Sequence, residues 1–199
     1  MKREIDARGQ LCPRPVIMTK KELDQMEAGI LTTIVDNEVA KDNISKLVGS
    51  YGYDFTIDAT KEGDYYVNIT KGETKEDEAN VCLPETFKDL TIAIGSDEMG
   101  TGEKELGHIL IKSFIYTVRE TTPLPKSIVL FNSGVRIVCE DSQIVDDLKA
   151  MVEIGVELLV CGTCLDYYNL KDDIRVGEVA NMYSIYEEMR NSNNTLNLG

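Results

Sequence analysis

Asp6-Ala7-Arg8-Gly9-Gln10-Leu11-Cys12-Pro13-Arg14-Pro15 decides how the first third of this chain is read. A strand-like segment, Glu4-Ile5-Asp6, leads into a short turn, and a thiol then stands directly before proline. Proline has no amide hydrogen to lose, and its fixed φ suits the first helical position. The pattern predicts a helix starting at Pro13, with Cys12 as its N-cap and Pro15 inside the first turn. Unpaired N–H groups at the positive end of that helix would face the sulfur and favour thiolate over thiol, with Arg14 adding to the effect. A cysteine that merely fills a cap is the plainer reading, and two prolines in one turn argue against it. Cys12 is the first candidate nucleophile.

Outward from this stretch the chain alternates. Lys2–Asp6 reads as a strand, Pro13 to about Met26 as a helix, and Ile30–Val35 as a β-branched strand. Glu38–Gly49 reads as a second helix with Ala40, Ile44, Leu47 and Val48 on one face, capped by Asp36 or Asn37. Tyr53–Ala59 and Tyr65–Thr70 alternate as strands do around the turn Lys61-Glu62-Gly63-Asp64. The order β-α-β-α-β-β predicts a two-layer α/β sandwich, helices on one face of a four-stranded sheet.

Residues 73–85 are polar and without periodicity and read as a linker, with Cys82 an incidental thiol near its end. Residues 86–190 read as a flavodoxin-like parallel α/β domain, and 191–199 as a flexible tail. Its expected strands are Leu90–Ile94, Ile128–Phe131 and Val156–Val160, with Val135–Cys139 as a short extra strand. Gly102 to about Arg119 reads as a helix carrying Leu106, Ile109, Leu110, Phe114 and Val118. A second helix follows Ser142 as its cap, and Asn181–Arg190 reads as the last.

Cys161-Gly162-Thr163-Cys164 follows the strand Val156–Val160, at the end where parallel sheets place functional groups. The spacing suits a redox pair, with Cys164 as nucleophile and Cys161 resolving. A metal site and plain packing compete with that reading; zinc is the weakest, since the chain has one His and no second ligand pair. The run Gly95–Gly102 fails as a phosphate loop, lacking the required Lys. Cys139 and His108 read as structural, and Tyr167 and Tyr168 either as cover for the cysteine pair or as plain aromatic packing.

The chain has 199 residues and a formal charge of −14, unevenly spread. Residues 1–75 hold 11 Lys+Arg against 13 Asp+Glu; the remainder hold 10 against 22. The acidic second half does not suit nucleic acid. No apolar run reaches membrane-spanning length and no signal peptide is evident, so a soluble, cytoplasmic protein is expected. Five cysteines are too few and too irregular for a disulfide scaffold.

Residues 1–72 resemble the TusA/SirA family, through Asp6, Gly9, Cys12-Pro13-Arg14-Pro15 and the element order. Members of that family carry sulfur as a cysteine persulfide, so the resemblance places the carrier role on Cys12. Residues 86–199 resemble a DsrE-type domain, whose active cysteine lies near the equivalent strand end, which carries over to Cys164 or Cys161. The tandem is similar to YedF-type proteins, described as sulfurtransferase-like and linked to selenium metabolism. The expectation is a chalcogen carrier fed by a cysteine desulfurase or selenocysteine lyase and serving an acceptor protein. It needs no cofactor and no metal, and a homo-oligomer is a reasonable prior. A redox-sensing or partner-recruiting module, and a thiol–disulfide oxidoreductase using Cys161 and Cys164 alone, remain the rival readings.

Overall fold

Leu31, Thr33 and Val35 alternate along one strand, and Leu31 and Thr33 pair with Ile69 and Val67 of its neighbour. One side of this sheet is therefore apolar enough to need cover. In the computed structural model, which describes residues 1–60, 63–72, 87–139 and 143–199, two helices supply it. The first unit, Met1–Val81, runs β1 (Lys2–Asp6), α1 (Arg14–Asp24), β2 (Gly29–Val35), α2 (Glu38–Ser50), β3 (Asp54–Ala59) and β4 (Tyr65–Lys71). The sheet order is β1-β2-β4-β3, with β1 parallel to β2 and the other pairs antiparallel. Leu23 and Met26, with Ala40, Ile44 and Val48 of α2, are buried against Leu31, Val35, Val67 and Ile69. Each such large apolar side chain contributes roughly 1.5–3 kcal/mol over leaving it exposed.

Two polar details fix the helices. Asn37 caps α2, its Oδ1 accepting the Ala40 N–H at 2.8 Å. Thr19 of α1 is fully buried; its hydroxyl donates to the Pro15 carbonyl at 2.8 Å and meets the Thr33 hydroxyl of β2 at 3.1 Å. Left unpaired, such a group would cost about 1–3 kcal/mol. The pairing pins the first turn of α1 to the sheet.

The second unit, Cys82–Gly199, runs β5 (Phe87–Ile94), α3 (Lys104–Glu120), β6 (Leu124–Leu130), a 3₁₀ helix (Asn132–Val138) and α4 (Gln143–Ile154). It continues with β7 (Glu157–Cys161), α5 (Gly162–Tyr168), β8 (Glu178–Ala180), α6 (Met182–Asn191) and β9 (Asn194–Leu198). All strand pairs are parallel, in the order β8-β7-β6-β5-β9. The chain steps from β5 to β8 in one direction and then returns across the sheet to β9. With right-handed crossovers, that reversal puts α6 on the face opposite α3 and α4. This is the expected parallel α/β architecture with helices flanking the sheet.

Several local expectations are corrected. Val135–Cys139 is not a strand: residues 132–138 form the 3₁₀ helix, in which Val135 and Val138 are both fully buried. Gly134 allows it, since a Cβ there would meet the Ile94 carbonyl oxygen at 2.4 Å. The tail is not frayed: β9 pairs with β5 from Leu90↔Asn194 to Ile94↔Leu198. A polar run such as Asn-Thr-Leu-Asn-Leu suits an edge strand, whose outer side faces water. β8 was not anticipated; at three residues it carries no periodicity to read. Helix α3 buries Ile111 and Ile115, while Leu106, Ile109 and Leu110, expected as its apolar face, stay exposed. The turn residues Lys61 and Glu62, the linker, Cys82 and the cap Ser142 lie outside the described residues. No helix among those described is long and apolar enough to cross a membrane.

Candidate functional site

Cys12 is exposed on the loop between β1 and α1, and its peptide bond to Pro13 is cis. Carboxylates from three places along the sheet hold this loop. Asp6, ending β1, accepts from Arg8 Nε at 2.9 Å, Arg8 Nη2 at 2.7 Å and the Arg8 N–H at 3.1 Å. Arg8 Nη1 reaches Asp64, just before β4, at 2.9 Å. The Gly9 N–H donates to Asp36, just after β2, at 2.7 Å. Gly9 sits at φ +69°, where glycine is the favoured residue. The Arg8 side chain, followed by its backbone N–H, brings the Asp6 carboxyl down to about 2. The Gly9 N–H, followed by the Asn37 amide, lowers Asp36.

The helix end beside the sulfur differs from expectation. α1 begins at Arg14, and Pro13, not Cys12, is the N-cap, with φ −96° and ψ 9°. Pro13 and Pro15 carry no N–H, and the Arg14 N–H is taken by the Leu11 carbonyl at 3.0 Å. The prolines that mark the motif thus strip donors from the helix end. The polar group beside the sulfur is Asn43 of α2, its Nδ2 3.9 Å from Cys12 Sγ. A groove of about 260 Å³ runs beside Cys12 and is lined by Leu11, Pro15, Val16, Val39 and Ala40 along with Asn37 and Asn43. Leu11 is 83% exposed and Val39 64%, so the rim is apolar and open.

Cys161 and Cys164 lie at the carboxyl edge of the parallel sheet. Cys161 ends β7 and is fully buried; Cys164 is half-buried in the first turn of α5. The Asn132 N–H donates to Cys164 Sγ at 3.1 Å. Burial raises the Cys164 pKa above its ordinary 9.0, and a hydrogen bond with Cys161 raises it further; the Asn132 N–H opposes both. Asn132 has φ +51°. Its Oδ1 accepts the Tyr168 hydroxyl at 3.1 Å, and the Arg136 guanidinium lies 4.5 Å over the Tyr168 ring. Tyr168 therefore touches the site, whereas Tyr167 is 80% exposed. Cys139 is buried, its thiol donating to the Val135 carbonyl at 3.2 Å. His108 is exposed, its Nδ1 3.0 Å from the Asp97 carbonyl oxygen.

Cys161 and Cys164 thus share the carboxyl edge of the second unit's sheet, and Cys12 belongs to the first unit. Sequence reasoning missed Asn43 and Asn132. For Asn132 a signal existed: Asn-Ser-Gly directly after a strand is a composition that tolerates a left-handed turn. For Asn43, an ordinary polar residue on a helix, none did.

Residues 3–71 match the family described as Sulfurtransferase TusA. The chain is 36% identical over 61 residues to the "Putative sulfur carrier protein YrkI" of Bacillus subtilis, a match covering 30% of this chain and 80% of that protein. Among solved structures it is similar to a SirA-like protein of Desulfitobacterium hafniense, at 37% identity over 36% of this chain and 99% of that one, with a TM-score of 0.35. It is also similar to the ychN protein of E. coli, at 15% identity over 56% of this chain and 98% of that one, with a TM-score of 0.41.

Proposed function

Since the chain belongs, through its first unit, to the TusA family of sulfur carriers, we propose that it carries sulfur, or selenium, as a persulfide or perselenide on Cys12 and relays it to Cys164. The observation that carries this reading is the exposed Cys12 thiol on a loop tied down by Asp6, Arg8 and Asp36, beside an open apolar groove. Such a sulfur can meet a donor protein without any part of the fold opening.

The chemistry balances in three steps. The Cys12 thiolate attacks the outer chalcogen of a donor persulfide; one S–S bond forms, one breaks, and the donor cysteine leaves as thiolate. The Cys164 thiolate then attacks the outer atom on Cys12, which leaves as thiolate. Finally the Cys161 thiol attacks Cys164 Sγ, expelling hydrosulfide and forming the Cys161–Cys164 disulfide. A dithiol reductant restores the pair. The donor is a cysteine desulfurase or selenocysteine lyase, and an acceptor protein taking the chalcogen from Cys164 replaces the third step.

In this reading the second unit is DsrE-like and the tandem YedF-type. Residues 73–85 would serve as the linker, and a tether of that length would raise the effective concentration of one thiol at the other. The placing of Cys161 at the end of β7 and Cys164 in the first turn of α5 also suits a second reading, in which the pair senses redox state and nothing is transferred.

Intact-protein mass spectrometry with peptide mapping tests both. After incubation with cysteine desulfurase and cysteine, and separately with selenocysteine lyase and selenocysteine, an adduct is expected first on Cys12 and then on Cys164. No adduct on any cysteine, with both donors active, overturns the carrier reading. Reversible Cys161–Cys164 oxidation without an adduct leaves redox sensing.

A further inference from the structure

We propose that a concavity between α3 and the 3₁₀ helix binds a small organic anion with a short apolar body. It encloses about 470 Å³, within the range of small-molecule sites, roughly 300–1,000 Å³. Lys112 and His108 of α3 and Arg136 of the 3₁₀ helix form its polar wall. Ile111, Ile137 and Ile144 form its floor, with Ile111 1% and Ile137 6% exposed. The site opens where β5 and β6 end, the edge at which parallel α/β sheets receive ligands.

The charge here runs against its surroundings. Residues 76–199 hold 10 Lys+Arg against 22 Asp+Glu, yet Lys112 and Arg136 converge on one concavity with a single carboxylate, Asp97, among the described residues that line it. Lys112 makes no ion pair among the described residues. Arg136 meets Asp97 at a long 3.7 Å, and the Tyr168 ring beneath its guanidinium holds the plane in place. That is a preset donor fork with capacity to spare, of the kind that pairs with a carboxylate or sulfonate. His108 stands beside Lys112 on the same wall. An anionic head on Lys112 and Arg136 would lay a chain of a few carbons across the three isoleucines. Nothing in this site depends on sulfur transfer.

The experiment exploits the single histidine of the chain. The imidazole C2-proton NMR signal of His108 is followed in the full-length protein as pentanoate, pentanamide or sulfate is added at constant ionic strength and pH. Pentanoate is expected to move the signal saturably, pentanamide and sulfate without saturation. Lys112→Gln, an exposed position, and Ile144→Gln are each expected to weaken pentanoate at least fivefold while circular dichroism stays unchanged. A linear response to pentanoate overturns the proposal, as does equal binding of pentanamide or unchanged affinity in Lys112→Gln. Sulfate binding as tightly as pentanoate overturns the apolar body.

Discussion

Cys12 and Cys164 both stand at the start of a helix that follows a strand, yet their surroundings have little in common. Cys12 lies in the open; its loop is held from outside by Arg8 and by carboxylates on the strand ends, and its neighbours are apolar side chains facing water. Cys164 is sunk at the sheet edge, held by a backbone N–H and a second thiol. Exposure makes the first sulfur available to a large partner. Burial gives the second a proton that is harder to remove, and a second cysteine stands three residues before it. The two sites should therefore fail in different ways.

The sharpest separation comes from the thiols themselves. Cys12→Ser removes the proposed nucleophile, and loading of either unit from a desulfurase is expected to fall at least 100-fold. Cys164→Ser should leave Cys12 loading within about twofold of the parent, with the adduct accumulating there. Mass spectrometry of both variants reads this directly. If Cys164 still loads at full rate in Cys12→Ser, the donor reaches the buried site unaided and the contrast between the two collapses.

Next in size are the two glycines behind the sulfurs. A side chain at Gly134 would run into the Ile94 carbonyl oxygen, so Gly134→Val should destabilise the second unit by about 2–4 kcal/mol. At Gly9 a Cβ meets nothing within 4 Å; only the left-handed backbone resists, so Gly9→Val should cost about 1–2 kcal/mol, felt in the first unit. Denaturant unfolding followed by peptide-resolved hydrogen exchange separates the units. Equal losses in both variants would mean that the sites are braced alike.

These examples also mark what the sequence could tell. Helices and strands of the first unit were readable because apolar spacing and caps agreed, as at Asn37 and Ile44. The parallel sheet was readable from short, fully apolar runs alternating with helices, such as Ile128-Val129-Leu130 with its two β-branched residues. The same β-branching misled at Val135–Val138, where burial on a tight helical turn outweighed strand propensity. β9 was hidden because an edge strand needs little apolar character. At the candidate sites, cysteine spacing pointed to the Cys161–Cys164 pair. The donors to sulfur were not legible: one is a backbone N–H fixed by tertiary packing, and at Cys12 two prolines lack an N–H while the Leu11 carbonyl takes that of Arg14.

A smaller effect probes the backbone donor. At φ +51°, Asn132 tolerates glycine, whereas a β-branched residue is strained there. Asn132→Val should turn the N–H away from Cys164 and remove the one contribution that lowers its pKa. The pH midpoint for alkylation of Cys164 by iodoacetamide, already above 9, then moves higher, and at pH 8 the rate falls several-fold. Asn132→Gly keeps the N–H in place and should alkylate like the parent. Identical profiles for the two variants would remove the backbone from the account of this site.

The smallest effect separates the sites by pH. Asp6 and Asp36 have folded-state pKa values below the ordinary carboxylate value of 3.8. Their contribution to the Cys12 loop is therefore complete above that value and is lost as pH falls towards about 2, where Asp6 titrates. Cys164 has the opposite sign. Its pKa is raised, so the favoured thiol form is complete below 9.0 and lost as pH climbs through the higher folded value. Acid should loosen the first site and alkali should charge the second, with neither changing between about pH 5 and 8. The Gly9 amide signal reports the acid limb, because that N–H donates to Asp36. It should move with a midpoint below 3.8 and lose that transition in Asp36→Asn. Both carboxylates are exposed, so little global stability should change with them. A Gly9 midpoint at or above the ordinary carboxylate value would mean that Asp36 does not hold the loop, leaving Arg8 with Asp6 and Asp64 to do so.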